Sequence, residues 1–322
     1  MSSTVRPLVA VMLATGLGIA NAQSWPAKPV RVIVTQAPGS APDVIARFVL
    51  DKLSRSLGQS VIVDNRPGGV NVIGMQAAAR SAPDGYTLLF ATSAGLTTNV
   101  YTIKGLPYDP VKDFLPVALI AKGPFVLAAN AKLPVRSFAD LVALDKSKPG
   151  EFSAAVDGPR FLTGMIMTYM NKVTGTSFVQ VPYNNILQGA QDTAMGQAQV
   201  TLQAPAVIDG FLRRGELRAL AVTSASRVPS MPDVPALAET YPGFDFNGWF
   251  MLLAPAGTPP EIAQRVNREM DRVLKEEETR QRLLTFAFFT DGAQTLPELG
   301  SFLRSELATW ERVVRTIGVE PE

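Results

Sequence analysis

Apolar and polar positions along this chain follow two rhythms in turn, a run of β-branched residues and then a helical spacing. Residues 30–35 read as a strand, followed by the loop Gln36-Ala37-Pro38-Gly39-Ser40-Ala41. A helix is predicted from Pro42-Asp43, because Ile45, Phe48, Val49 and Leu53 recur on one face. Residues 61–63 predict the next strand, closed by Asp64-Asn65-Arg66-Pro67-Gly68-Gly69, and a small-residue helix runs through 74–79. The turn Pro83-Asp84-Gly85 introduces a third strand at 86–91. Strand, glycine-rich turn and helix in succession is the doubly wound α/β pattern, whose ligands sit beyond the carboxyl ends of the strands.

The prolines of Leu106-Pro107-Tyr108-Asp109-Pro110 interrupt this rhythm, and 114–121 and 125–129 predict strands leaving the first sheet. A second α/β set follows, with helices near 138–147, 162–173 and 186–195 and strands at 178–181, 199–203 and 217–223. Met165, Met167, Met170 and Phe161 read as its core. After a Pro- and Ser-rich linker at 226–235, a strand at 249–254 leads to the last helices. Thr258-Pro259-Pro260-Glu261 and Thr295-Leu296-Pro297-Glu298 both have the form of a capping box. The final helix carries Leu299, Leu303, Leu307, Trp310, Val314 and Ile317 on one stripe and stops at Gly318. Glu276/Arg280 and Glu278/Arg282 read as i,i+4 pairs on a solvated face, worth about 0.2–0.5 kcal/mol each. Lacking a sheet of their own, the last helices are expected on the first lobe. The expected lobes are 23–121 with 246–322, and 122–245, joined by two crossings that make a hinge and a cleft.

The N-terminus carries a different signal. Arg6 precedes an apolar run from Leu8 to Ile19, and Ala20-Asn21-Ala22 is a small-x-small cleavage pattern. Residues 1–22 are expected to be a cleaved secretory signal, and the absence of Cys near Gln23 argues against a lipid anchor. Losing Arg6 leaves 29 Lys and Arg against 28 Asp and Glu, too little positive charge for a nucleic-acid partner. The 322 residues are 47% apolar, enough to bury two cores. They include no Cys and no His. Thiolate nucleophiles, Ser-His-Asp triads and His-liganded zinc are thereby excluded, and neither a catalytic group, a metal nor a cofactor is expected.

The loop Ala37, Pro38, Gly39, Ser40, Ala41 is the leading site candidate, since it offers main-chain N–H groups beside a helix start that favours an anion. Judged alone, such a loop is more often an ordinary strand-to-helix turn. Asp43 suits a first-turn carboxylate better than a catalytic acid. Asp64 to Gly69 lacks the lysine and spacing of a phosphate loop and reads as a structural turn. Thr92 and Ser93 end a strand as either helix cap or ligand donors. No G-x-S-x-G elbow is present.

Taken in order, several segments make this chain resemble the extracytoplasmic solute receptors of the tripartite tricarboxylate transporter family, the Bug receptors. They are Trp25-Pro26-Ala27-Lys28-Pro29-Val30-Arg31, Asp64-Asn65-Arg66-Pro67-Gly68, Pro83-Asp84-Gly85-Tyr86-Thr87-Leu88, Leu106-Pro107-Tyr108-Asp109-Pro110 and Val181-Pro182-Tyr183. Arg218 to Ser224, Pro232-Asp233-Val234-Pro235 and Leu253 to Pro259 complete the set. The resemblance implies a two-lobed periplasmic-binding-protein fold, type II-like, with crossing hinge strands. It implies a periplasmic monomer that holds one small organic acid between a loop from each lobe. Its partners would be membrane permease subunits of a tripartite tricarboxylate transporter; an orphan receptor serving a sensor kinase is the alternative. An enzyme pairing Asp43 with Asp157 is a third, disfavoured reading.

By the same resemblance, Ala37 through Ala41, Asp43, Thr92, Ser93 and Tyr183 match positions that line the family's cleft. The second loop departs from the family's Gly-Ser-x-Gly-x-Gly-Thr and reads Ala154-Ala155-Val156-Asp157-Gly158-Pro159-Arg160, with fewer free amides because Pro159 has none. Asn184-Asn185 replaces Lys-Gly after Tyr183, and Gln203 stands at an acidic position. In this weakened loop Arg160 is expected either to meet a ligand carboxylate directly or to face solvent.

Overall fold

A computed structural model describes residues 25–183 and 185–322. The chain builds two five-stranded sheets of matching topology. In the first, β1 (Val30–Val34) lies between β2 (Val61–Asn65) and β3 (Thr87–Thr92), all parallel. β10 (Asn247–Pro255) pairs antiparallel with β3 and with the edge strand β4 (Phe114–Pro124). In the second, β6 (Ser153–Val156) lies parallel between β7 (Val179–Pro182) and β8 (Val200–Gln203). There β5 (Val126–Asn130) pairs antiparallel with β8 and with β9 (Leu217–Val222). Each sheet therefore has a three-strand parallel half completed by one antiparallel insertion and an edge.

Helices cover both faces, as continuous apolar strands require. On the first sheet, Val30, Val32 and Val34 face α1 (Ala41–Leu57) and α9 (Pro260–Lys275), while Ile33 packs on the other side with Met75 and Ala78 of α2 (Val72–Ala79). Two short helices, α3 (Ser93–Leu96) and α4 (Thr98–Thr102), follow β3. On the second sheet, α5 (Phe138–Ser147) and α6 (Leu162–Thr174) take one face. α7 (Ile186–Met195) and α8 (Pro205–Arg213) take the other.

Some expectations are corrected here. β4 does not leave the first sheet; it stays bonded to β10 as far as Pro124, and the chain changes sheet at Phe125. Ala154 to Val156 are buried strand rather than loop, so the second connection begins only at Asp157. Thr258 does not cap α9: its buried hydroxyl donates to the Pro255 carbonyl at 2.7 Å, and Pro259 is the cap residue. The box at Thr295 does form, with Glu298 N–H donating to the Thr295 hydroxyl and the Glu298 carboxylate accepting the Thr295 N–H. Glu276 is extended, separating α9 from α10 (Glu277–Leu284), and Glu276 and Glu278 both accept from Lys52 of α1 at 2.6 Å. That buried ammonium claims the carboxylates expected to pair along the helix.

The last helix, α11 (Leu296–Ile317), is not confined to the first lobe. Its 22 residues span about 33 Å, so the one stripe meets two partners. Leu299 and Leu303 pack with the first sheet; Trp310, Val313 and Val314 pack with the second, where the Trp310 ring lies 5.5 Å from Phe246. The crossings themselves are joined by Thr223, which is fully buried. Its hydroxyl accepts the Phe125 N–H at 2.9 Å and donates to the Phe246 carbonyl, and its N–H donates to the Phe125 carbonyl. Because α11 spans both cores, Trp310→Ala is expected to cost about 3–5 kcal/mol and to lower the urea midpoint in a single transition. Two separated transitions in the wild type would contradict this coupling.

Candidate functional site

Parallel strands end their hydrogen-bonding at the carboxyl edge, and both sheets present that edge to a common cavity of about 760 Å³. The first sheet contributes Thr35, Gln36 and Ala37 after β1, Thr92 at the end of β3 and Ser93 just beyond it. The second contributes Asp157, Arg160, Phe161 and Leu162 from the β6–α6 connection. Phe125, Trp249 and Phe250, at the crossings, line it between them.

The first loop is fixed by a buried carboxylate. Asp43 accepts from Gly39 N–H at 2.8 Å, from Arg47 Nε at 3.0 Å and from Asn65 Nδ2 at 2.7 Å. Burial pushes its carboxyl up, but the Arg47, Asn65 and Gly39 donors outweigh it and hold it below the usual range. Ser40 N–H turns back to the Ala37 carbonyl. The amides expected to meet a ligand at Gly39 and Ser40 are thus consumed inside the loop. Among the described residues no group accepts from Gln36 or Ala37 N–H, and both residues line the cavity. The hydroxyl oxygens of Thr35 and Thr92 are buried with no partner among the described residues, although buried polar atoms are normally satisfied.

The second loop repeats the device. Asp157 accepts from the Thr163 hydroxyl at 2.7 Å and from Gly164 and Thr163 N–H at 3.0 and 3.2 Å. Burial pushes the Asp157 carboxyl up against the opposing pull of these donors. Arg160 neither stands free in the cavity nor faces solvent alone. Its Nε pairs with the Glu322 side chain at 2.8 Å, and its Nη2 donates to the Thr102 carbonyl at 3.2 Å and to the Glu320 carbonyl.

Of the residues singled out in sequence, Ala37, Thr92, Ser93, Asp157 and Arg160 meet at the cavity. Pro38, Gly39, Ser40 and Ala41 are not part of its lining, and neither are Asp43, buried beneath the first loop, and Gly158, buried within the second. The Tyr183 hydroxyl donates to Asp192 of α7 at 2.9 Å, and Gln203 is buried at the end of β8. Asn184 lies outside the described residues. Several contributors escaped the sequence reading, among them Phe161, which was expected in the core but is 41% exposed at the cavity. Thr35 looked like one more strand residue. Glu322 had no local signal. Pro67 to Asn71, read as a structural turn, also lines the cavity, with Val70 and Asn71 in left-handed backbone at φ 51° and 76°. A β-branched residue there is strained by roughly 1–3 kcal/mol. Asn99 holds it by donating to the Val70 carbonyl at 2.7 Å.

The model of the tripartite tricarboxylate transporter family receptor matches residues 45–319. The chain belongs to this receptor family. Protein BugT of Bordetella pertussis is 34% identical over 323 residues, covering 97% of each chain. Among solved structures, R. palustris Rpa4515 with adipate superposes with a TM-score of 0.81 at 31% identity, over 92% of this chain and 100% of that one. MatC from Rhodopseudomonas palustris with bound malate gives 0.76 at 27% identity, over 90% and 100%. Receptors of this family have the two-lobed fold seen here and bind solutes rather than transform them.

Behind the receptor's cleft, Trp249 donates to Glu306 of α11 at 2.8 Å. Burial pushes the Glu306 carboxyl up, and the indole N–H only partly opposes it. The folded state therefore holds this proton more tightly than the unfolded chain. Its contribution is fully present below the ordinary carboxylate pKa and is lost as pH rises through the raised one. Glu306→Gln keeps an acceptor for Trp249, so urea midpoints measured across that interval should fall less with rising pH than in the wild type. An unchanged slope would remove Glu306 as its source.

Proposed function

We propose that this receptor is exported to the periplasm after removal of residues 1–22, captures a small carboxylate-bearing metabolite in the cleft between its sheets, and presents it to permease subunits of a tripartite tricarboxylate-type transporter. The observation that carries this reading is the set of unpartnered donors at the carboxyl edge of the first sheet: the Thr35 and Thr92 hydroxyls and the N–H groups of Gln36 and Ala37. A carboxylate accepts from several donors at once, and such charge-assisted bonds are the stronger kind. Relatives whose structures hold adipate and malate support an organic acid here.

Capture proceeds by closure. The acid first engages the Asp43-fixed loop and the hydroxyls of β1 and β3. Rotation at Phe125 and Thr223 then brings the β6–α6 connection down on it, excluding water from contacts that the rigid loop already orients. No bond is made or broken, and the ligand leaves unchanged.

The test is calorimetric titration and thermal shift with a panel of organic acids that includes adipate and malate. At least one acid is expected to raise the melting temperature, as a ligand specific to the folded state must. Thr35→Val and Thr92→Val should each weaken that acid by about 10–100-fold, the loss of a charge-assisted hydrogen bond, without lowering the unliganded melting temperature. No response to any carboxylate, or full affinity in both variants, would contradict the reading.

A further inference from the structure

The charged groups lining the cleft carry information about the ligand's far end. Among the described residues they are Asp157, Arg160 and Glu322. Asp157 takes the donors at the start of α6, which are the donors a ligand anion would use on that lobe. Arg160, the only cation of the lining among the described residues, is held by the Glu322 carboxylate and by two main-chain carbonyls. The second lobe therefore offers an incoming anion no uncommitted positive group. What it does offer is apolar: Phe161, 41% exposed, and Leu162 line the cleft, and Ile103, Phe125 and Phe288 from the rest of the chain line it as well. A cavity of about 760 Å³ has room for a ring.

We infer that the cleft takes a monocarboxylate, with its one anionic group on the first sheet's donors and an apolar, ring-sized body against the aromatic wall, and that it disfavours the matching dicarboxylate. This rests on the receptor reading above and adds the ligand's class to it. A second carboxylate would stand beside Glu322 and Asp157, against their charge and without a counter-ion, so discrimination comes from repulsion as much as from fit. Glu322 is the specificity-determining group: it holds Arg160 in a neutral pair that a second anion would have to break.

Calorimetry with paired probes tests this, each pair differing only in a methyl or carboxylate at the far end: 4-methylbenzoate against terephthalate, and hexanoate against adipate. The monocarboxylate of each pair is expected to bind at least about tenfold tighter. Glu322→Gln, at a position whose side chain is 74% exposed and so uninvolved in the core, should narrow the terephthalate-to-4-methylbenzoate ratio by removing the anion that neutralises Arg160. A dicarboxylate that binds the wild type as tightly as its partner, or an unchanged ratio in Glu322→Gln, overturns the inference and leaves the receptor reading standing. Binding of benzamide with none of the acids overturns both.

Discussion

A carboxylate taken out of water must be met by donors on every side, and Asp43 is 1% exposed. Meeting that demand draws Gly39 N–H, Arg47 and Asn65 to one point, which ties the first loop to α1 and to the end of β2. The loop is rigid because its own anion is satisfied, and the donors it turns outward are those left over. Asp157 imposes the same constraint on the β6–α6 connection, the topological counterpart in the other sheet. Both halves thus spend an internal anion on the helix start that an external anion would favour. In the proposed reading, binding falls to what remains free: strand-end hydroxyls and main-chain N–H groups on one side, aromatic rings on the other.

The halves are coupled by more than the strands that cross between them. Thr223 ties both crossings through one buried side chain, so bending at one is felt at the other. α11 lays a continuous apolar stripe over both cores, and the segment beyond it is stitched to the first lobe by Lys104 N–H on the Glu322 carbonyl and Glu322 N–H on the Thr102 carbonyl. Arg160 reaches from the second lobe to that same segment. The proposed closure would therefore act on an element already shared by both lobes.

Local patterns were legible in the chain; partnerships made across it were not. α5 and α7 run over the residues that helical periodicity indicates, and Thr295-Leu296-Pro297-Glu298 caps α11 as written, because those signals act within a turn. Thr258-Pro259-Pro260-Glu261 has the same letters, yet Pro259 takes the cap and the Thr258 hydroxyl closes the preceding turn. Glu276 and Glu278 look paired along a helix until Lys52, from α1, arrives between them. In the cleft, Thr92 and Ser93 could be picked out at a strand end, whereas Thr35 differs from a core strand residue only in where the strand stops. Arg160 stood out as a cation in a weak loop, but its partner Glu322 lies 162 positions away and no spacing rule connects them. Val70 gives no hint in sequence of the left-handed backbone that Asn99 holds.

The central claim is that the ligand's anion is met by the donors that the Asp43-fixed loop and the two strand ends leave free. A crystal structure of the chain with its tightest-binding acid measures this directly. The account predicts a carboxylate oxygen within about 2.5–3.0 Å of the Thr35 or Thr92 hydroxyl and within ordinary hydrogen-bond distance of the Gln36 or Ala37 N–H. A ligand whose carboxylate sits on Arg160, with those donors untouched, would contradict it.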